Sequence, residues 1–298
     1  MEPHSSKLKL LFIVNPGSGN KDSDLSELIK SYLSDKEVDY AIYELPKDCS
    51  IDKIKEEIKR IKPDRVCAVG GDGTLKMVAE SLLRKDIPIA VIPAGSANGM
   101  AKELGIPTDI EEALQTAIDG MPLKIHATMV NNELCIHLAD IGFNAYIVKK
   151  FDDLPQRGMR GYAKATWQAL WSHHKMEVSF KTDDSVVKSE AAMVVIANAT
   201  MYGTGVKINP EGKLNDGLFE VILVKKYSVL EILKIWATNL PFNPKAIESF
   251  QTKTLKIVTK HKAHFQVDGE YVGKVNKVEA EIVPSAITVI VPNNKQSN

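Results

Sequence analysis

Neither sign of charge predominates in this chain, because 38 Lys and Arg residues balance 38 Asp and Glu residues. A nucleic-acid binder carries a basic excess that answers the phosphate backbone, so that class of partner is excluded. A neutral total still permits local basic patches and transient peripheral contact with a membrane. Cysteine is scarce: Cys49, Cys67 and Cys135 are the only three, and no CxxC spacing joins them. A disulfide scaffold is therefore excluded, and a reducing compartment is implied. Cys67 and Cys135 lie in apolar runs, where a thiol acts as a small hydrophobe. No stretch approaches the roughly 18 consecutive apolar residues of a bilayer span. The N-terminal MEPHSSKLKL lacks the apolar core of a signal peptide. The expected location is cytoplasmic, with any lipid met from the water side. There is no internal repeat.

What is present is enough for two domains, since 298 residues exceed the ~250 at which single cores stop growing. Leu8–Val14, Val38–Leu45, Arg65–Val69 and Ile87–Ile92 read as strands. Asp24–Leu33, Thr74–Leu83 and Ser96–Leu104 read as helices, and Ile51, Ile54, Ile58 and Ile61 recur at helical spacing. Strand–helix alternation predicts a parallel sheet covered on both faces, a three-layer α/β domain. After about residue 125 short strands dominate: Leu134–Ile141, Lys175–Phe180, Ala191–Asn198, Leu218–Val224, Thr254–Val258, Ala263–Val267, Val278–Ile282 and Ile287–Val291. Helices near Tyr162–Trp171 and Ser228–Ala237 interrupt them. Such a pattern predicts an antiparallel β-sandwich or barrel. The expected domains are residues 1–124 and 125–298, with the last strand free to return to the first domain.

Gly70-Gly71-Asp72-Gly73-Thr74 follows a strand and opens a helix. Glycine lets the backbone turn tightly and approach an anion. Its N–H groups, backed by a helix N-terminus, form a donor nest for phosphate oxygens. An acid inside such a nest makes sense when Mg²⁺ accompanies the phosphates, the role open to Asp72. A helix-capping turn explains the acid but not the surrounding glycines. Asn15-Pro16-Gly17-Ser18-Gly19 ends the first strand, and Pro93-Ala94-Gly95-Ser96-Ala97-Asn98-Gly99 ends the fourth. In open α/β sheets ligands lie at the carboxyl ends of strands, so three such loops predict one nucleotide site. Neither GxxxxGK[ST] nor GxGxxG occurs, which argues against a Walker NTPase and a dinucleotide dehydrogenase.

At these residues the sequence resembles the diacylglycerol kinase catalytic family, which includes sphingosine and ceramide kinases and bacterial soluble lipid kinases. The motifs are VNPGSG at Val14–Gly19, GGDGT at Gly70–Thr74 and IPAGSANGMAKELGIP at Ile92–Pro107. GFNA at Gly142–Ala145, LNDGLFEV at Leu214–Val221 and VDGE at Val267–Glu270 complete the set. The resemblance implies a nucleotide-binding α/β domain followed by a β-sandwich domain. It implies an ATP-dependent lipid kinase that phosphorylates a diacylglycerol-like or sphingoid hydroxyl. ATP would be held by Asn15, Pro16, Gly17, Ser18, Gly19, Gly71, Asp72, Gly73, Thr74, Ser96 and Asn98. Glu270 matches the general base of bacterial diacylglycerol kinases, whereas sphingosine kinases assign that role to the acid matching Asp72. Lys213 and Leu218 (through carbonyls) and Asp216 match a structural Mg²⁺ site.

The chain departs from the family at several points. Bacterial relatives carry GTGND where Gly95–Gly99 stands, so Gly99 replaces an acid and Ser96 a threonine. Tyr146 occupies the place where sphingosine kinases hold the amino head with an aspartate. Asp268-Gly269 also reads as an ordinary hairpin turn. From Lys149 to Trp171, aromatics lie beside Lys149, Lys150, Arg157, Arg160 and Lys164. This segment fits a membrane-facing helix or one packed on the sandwich. His173 and His174 read as a helix end, not a metal site. Two other readings stay open: an NAD kinase-like phosphotransferase on a soluble acceptor, and an inactive lipid- or nucleotide-binding relative.

Overall fold

The computed structural model describes residues 7–18, 24–153, 175–181, 186–200, 209, 212–225 and 247–293, without the side chains of 151 and 152. Gly19 and the expected helices near Tyr162–Trp171 and Ser228–Ala237 lie outside them. The chain divides into two units: Met1–Ile125 with Ser285–Asn298, and His126–Pro284.

In the first unit, β1 (Leu8–Val14) pairs in parallel with β2 (Val38–Glu44) and β3 (Arg65–Gly70). β4 (Ile89–Pro93) lies parallel to β3, and the end of β14 (Glu270–Val291) lies parallel to β4 through Val289 and Ile89. The order 2-1-3-4-14 reverses direction between β1 and β3, which makes that gap the topological switch point. β1, β3 and β4 are near-continuous apolar runs because both faces are covered. α1 (Leu25–Leu33) and α5 (Ile110–Asp119) share one face, where Tyr32 donates to Gln115 at 2.6 Å. α2 (Ile51–Ile61) and α3 (Asp72–Ser81) pack together on the other. α2 buries Ile54 and Ile58, four residues apart on one stripe. Asp24 caps α1 by accepting from Ser26 and Glu27, and Asp109 caps α5 by accepting from Glu112.

The second unit is a β-sandwich. One layer runs β12 (Ile247–Thr252), β11 (Phe219–Val224), β10 (Met193–Ala197), β7 (Leu138–Gly142), then the later part of β13 (Thr254–Val267) and the start of β14. The other layer holds β9 (Val186–Ala191), β8 (Met176–Lys181), the early part of β13, the middle of β14, β5 (Met121–Val130) and β6 (Glu133–Cys135). β13 and β14 serve both layers by breaking register between Val258 and Ala263, a bend of the kind that turns a sandwich corner. Phe180, Ile257 and Val278 from one layer and Ile141, Val221, Phe265 and Val267 from the other form one core. α6 (Phe143–Asp152) packs on β7 and β13.

Several elements differ from the sequence-based expectation. The expected Leu134–Ile141 strand is two, broken at Ile136 and His137. Two expected pairs, Thr254–Val258 with Ala263–Val267 and Val278–Ile282 with Ile287–Val291, are each one long strand. The helix expected from Ser96 is the short α4 (Gly99–Glu103), because Asn98 is left-handed at φ 51. α5, α6, β5, β9 and β12 are further elements outside that expectation, although Ala113, Leu114 and Ala117 of α5 recur at helical spacing and are buried.

Phe265 is 1% exposed in the sandwich core. Phe265→Ala should destabilise the protein by about 3–5 kcal/mol, read as a lower urea midpoint. A loss well below 1 kcal/mol would contradict this packing.

Candidate active site

Three loops meet at the carboxyl edge of the first unit's sheet. The β1 loop joins the β3 loop through Asn15, whose N–H donates to the Val69 carbonyl at 3.0 Å and whose Nδ2 donates to Thr74 Oγ1 at 3.3 Å. Asn15 also shapes its own loop, its Oδ1 accepting from Gly17 N–H at 3.0 Å. The β4 loop joins the β3 loop where Ala94 N–H donates to the Gly70 carbonyl at 2.9 Å. Within the β4 loop, Asn98 Oδ1 accepts from Gly95 N–H at 2.9 Å and its Nδ2 returns a bond to the Gly95 carbonyl at 2.8 Å.

Glycine is required where these loops touch. A Cβ on Gly95 would lie 2.5 Å from Gly71 Cα and 2.9 Å from Asn98 Oδ1, and one on Gly70 would collide with Thr74. Asp72 then locks the arrangement: its two carboxylate oxygens accept from Gly99 N–H at 2.9 Å and Met100 N–H at 3.0 Å. Asn98 caps α4 with no side-chain bond, so the N-terminal amides of that helix are satisfied from another loop. The result is a rim of glycine backbone at the switch point, with the first N–H groups of α3 beside it. Asn15, Pro16, Gly17, Ser18, Gly71, Ser96 and Asn98 lie in these loops, and Asp72, Gly73 and Thr74 form the first turn of α3 beside them; Gly19 lies outside the described residues.

In the second unit, Glu270 follows a two-residue hairpin turn made by Asp268 (φ 51) and Gly269 (φ 86). These left-handed angles are those of a type I′ turn, for which Asp-Gly is suited. The Asp268 carboxylate sits in a nest of amides, accepting from Ile136 at 3.0 Å, His137 at 2.9 Å and Leu138 at 3.2 Å. The Cys135 thiol donates to it at 3.4 Å. This grip is what breaks the expected Leu134–Ile141 strand. Glu270 itself is exposed.

Behind that turn lies Asp140, which is fully buried. It accepts from Asn144 Nδ2 at 2.6 Å, from Ala145 N–H at 2.8 Å and from Gln266 Nε2. Burial pushes its carboxyl up to about 6 against those three donors. Nearby, His264 Nδ1 lies 2.9 Å from the Tyr271 hydroxyl, and its ring packs on Tyr146 at 4.8 Å. Burial, with Lys274, Lys149 and Lys150 close by, lowers His264 to about 4. Lys150 also lies 5.5 Å from the centre of the Tyr146 ring.

Lys213, Asp216 and Leu218 share the turn before β11. Asp216 Oδ1 accepts from Leu218 N–H at 3.1 Å, and the Leu214 carbonyl accepts from His126 N–H at 2.7 Å. A carboxylate and two carbonyls are the hard oxygen donors that Mg²⁺ takes, so the donor set fits the ion. No cluster of three His, Cys, Asp or Glu side chains capable of holding a metal exists among the described residues. Beside the turn, Glu220 is buried and accepts from Asn209 at 2.7 Å and Gln251 at 3.0 Å; burial raises its carboxyl. Asp140 and Gln266 were not singled out from sequence. The one available signal was a lone acid inside the apolar run Leu138–Phe143.

A family model described as the diacylglycerol kinase catalytic domain matches residues 9–130. A second, described as a YegS C-terminal NAD kinase beta sandwich-like domain, matches residues 138–291. The chain is 30% identical to an uncharacterized protein of Synechocystis sp., over 94% of this chain and 69% of that one. It is 28% identical to a diacylglycerol kinase of Bacillus subtilis, over 70% of this chain and 72% of that enzyme. A crystal structure of a diacylglycerol kinase from Bacillus anthracis aligns with TM-score 0.74 at 20% identity, covering 97% of this chain and 98% of the other. An NAD kinase from Archaeoglobus fulgidus in complex with ATP aligns with TM-score 0.57 at 14% identity, over 96% and 94% of the two chains. At these identities both structures speak for fold alone.

Two predictions follow from the geometry. Gly95→Ala forces the β3 and β4 loops apart and should cost about 1–3 kcal/mol, whereas Gly17→Ala should stay within about 0.5 kcal/mol. Equal denaturation midpoints for the two variants would contradict the contact. The second concerns pH. Asp140, raised from 3.8 to about 6, binds more protons folded than unfolded, so it removes stability as pH rises across that window. His264, lowered from 6.5 to about 4, does the reverse and adds stability as pH rises. Asp140→Asn should therefore steepen the gain in Tm between pH 4 and 6.5, and His264→Phe should reverse it relative to wild type. Parallel Tm profiles for all three proteins would refute both assignments.

Proposed function

The chain belongs to the diacylglycerol kinase catalytic family, a family of lipid kinases, and we propose that it transfers the γ-phosphate of ATP to the hydroxyl of a lipid. The observation that carries this reading is the meeting of three glycine-rich loops at the switch point between β1 and β3. Phosphoryl transfer requires positioned phosphates, a cation to offset charge on the β- and γ-oxygens, and an acceptor for the hydroxyl proton. Backbone amides of the β1, β3 and β4 loops, with Ser18, Thr74, Ser96 and Asn98, bind the triphosphate. Bound Mg²⁺ would supply the offsetting charge; Asp72, whose oxygens keep lone pairs beyond the two amides they accept, would hold it in the loops, and Lys213, Asp216 and Leu218 would hold a separate structural ion.

Glu270 is the proton acceptor in this reading. Both Asp72 oxygens already accept backbone amides, which makes Asp72 the residue that holds the loops together. Glu270 is exposed at a rigid turn and suits the proton-accepting role better. The acceptor is a neutral glycerolipid of the diacylglycerol type in preference to a sphingoid amine. Lys150 lies over Tyr146, and Lys149 and Lys274 act on His264, so a cationic head would meet like charge. The lipid is reached by transient peripheral contact, and no helix among the described residues is long and apolar enough to cross a membrane.

Radiolabelled ATP offered with 1,2-dioctanoylglycerol, sphingosine or NAD separates the candidate acceptors, with mass spectrometry identifying the product. Labelled glycerolipid is expected. Glu270→Gln should lower kcat by about 10²–10⁴-fold, and Asp72→Asn should abolish transfer while the far-UV spectrum stays native. ATP consumption that no lipid stimulates, or a labelled NAD product, would overturn the reading.

A further inference from the structure

Two separate tethers hold the turn that presents Glu270. One is the amide nest around Asp268, already described. The other is Gln266, which is 1% exposed on β13. Its Oε1 accepts from Gly269 N–H at 2.7 Å, and its Nε2 donates to Asp140 Oδ2. The side chain thus spans from a buried carboxylate to the backbone immediately before Glu270. Asp140 in turn accepts from Asn144 Nδ2 and Ala145 N–H, the first turn of α6. One carboxylate therefore ties the N-terminus of α6 and the Glu270 turn to the same point.

Stability does not explain this arrangement. Among the described residues no countercharge bonds Asp140; such a buried charge is costly, and apolar residues of similar volume in its place are often neutral or stabilising. What a fully satisfied polar network supplies is a unique geometry. Gln266 has one orientation that satisfies both ends. Reversing its amide would point the NH₂ group at the Gly269 N–H and the oxygen at a carboxylate. The tether therefore has direction, and it ends on the amide whose plane sets the start of β14.

We propose that Gln266, anchored by Asp140, is a positioning residue for phosphate transfer that fixes the Gly269 amide and with it the aim of Glu270. This rests on the reading of Glu270 as proton acceptor. Gln266 and Asp140 touch neither substrate nor nucleotide in this role. They act through Glu270, so their loss lowers kcat and leaves ATP affinity unchanged.

The test uses the full chain and four variants in the labelled-ATP assay with 1,2-dioctanoylglycerol. Gln266→Leu removes both bonds, and Gln266→Met replaces it should the leucine variant not fold. Asp140→Asn leaves one acceptor oxygen for the three donors Gln266 Nε2, Asn144 Nδ2 and Ala145 N–H, so at least one of them faces an NH₂ group. The double variant Asp140→Asn with Gln266→Glu exchanges the polarity, so that an amide donates to a carboxylate that still accepts from Gly269. Each single variant should lose about 10–100-fold in kcat with the KM for ATP unchanged, and the double variant should recover to within about threefold of wild type. Wild-type kcat in Gln266→Leu, or a double variant no better than the single ones, would overturn the proposal. Glu270→Gln separates the two readings. If it is inactive while Gln266→Leu is normal, only the positioning role fails; if it retains full activity, both fall. Hydrogen exchange at the Gly269 amide decides the tether even if no lipid is turned over. It should be protected in wild type and the double variant and fast in Gln266→Leu, and equal rates throughout would refute the tether.

Discussion

At the carboxyl edge of the first unit's sheet, two strands of backbone pass so close that a methyl group on Gly95 would lie 2.5 Å from Gly71 Cα. That approach leaves no room for side chains, and the rest of the rim follows from it. The β4 loop must fold over the β3 loop, so Ala94 can reach the Gly70 carbonyl and α4 begins where Asp72 can cap it. Asn15 then draws the β1 loop to the same place through Val69 and Thr74. A concave rim of amides arises from steric closeness first and hydrogen bonding second.

The second unit reaches its rigid turn by other means. Two aspartates there perform structural work. Asp268 spends its carboxylate on three consecutive amides and a thiol. Asp140 spends its carboxylate on α6 and, through Gln266, on the turn itself. Burial raises Asp140, which marks the site as one where geometry is kept at some expense in stability. Glu270, by contrast, lies at the exposed end of the arrangement. That contrast separates the residue that presents itself to solvent from those that hold it.

Much of this was legible in the residues. Apolar runs ending in glycine gave parallel strands and their loops, and the four-residue spacing of Ile54 and Ile58 gave α2 with its buried stripe. Asp268-Gly269 gave its hairpin, because few residues other than Gly, Asn and Asp accept a positive φ. Where expectation and structure part, a partner distant in sequence is the cause. The start of α4 is capped from 27 residues away. The break between β6 and β7 is made by a carboxylate 131 residues later. α6 lacks a Ser or Thr at its start because Asp140 on the preceding strand serves as its cap. β13 and β14 each looked like two strands because their burial changes sides where they cross between layers.

By itself the sequence determined the α/β character of the first unit, the antiparallel β character of the second, and the glycines and acids available to a phosphate-handling site. These depend on local periodicity and turn chemistry, which neighbouring residues settle among themselves. Only the tertiary structure decided that Asp72 is a clamp between loops, that Asp268 and Asp140 hold a turn, and that Gln266 connects that turn to α6. Those roles depend on which donors are brought to each carboxylate, and no local pattern encodes a partner more than a hundred residues away.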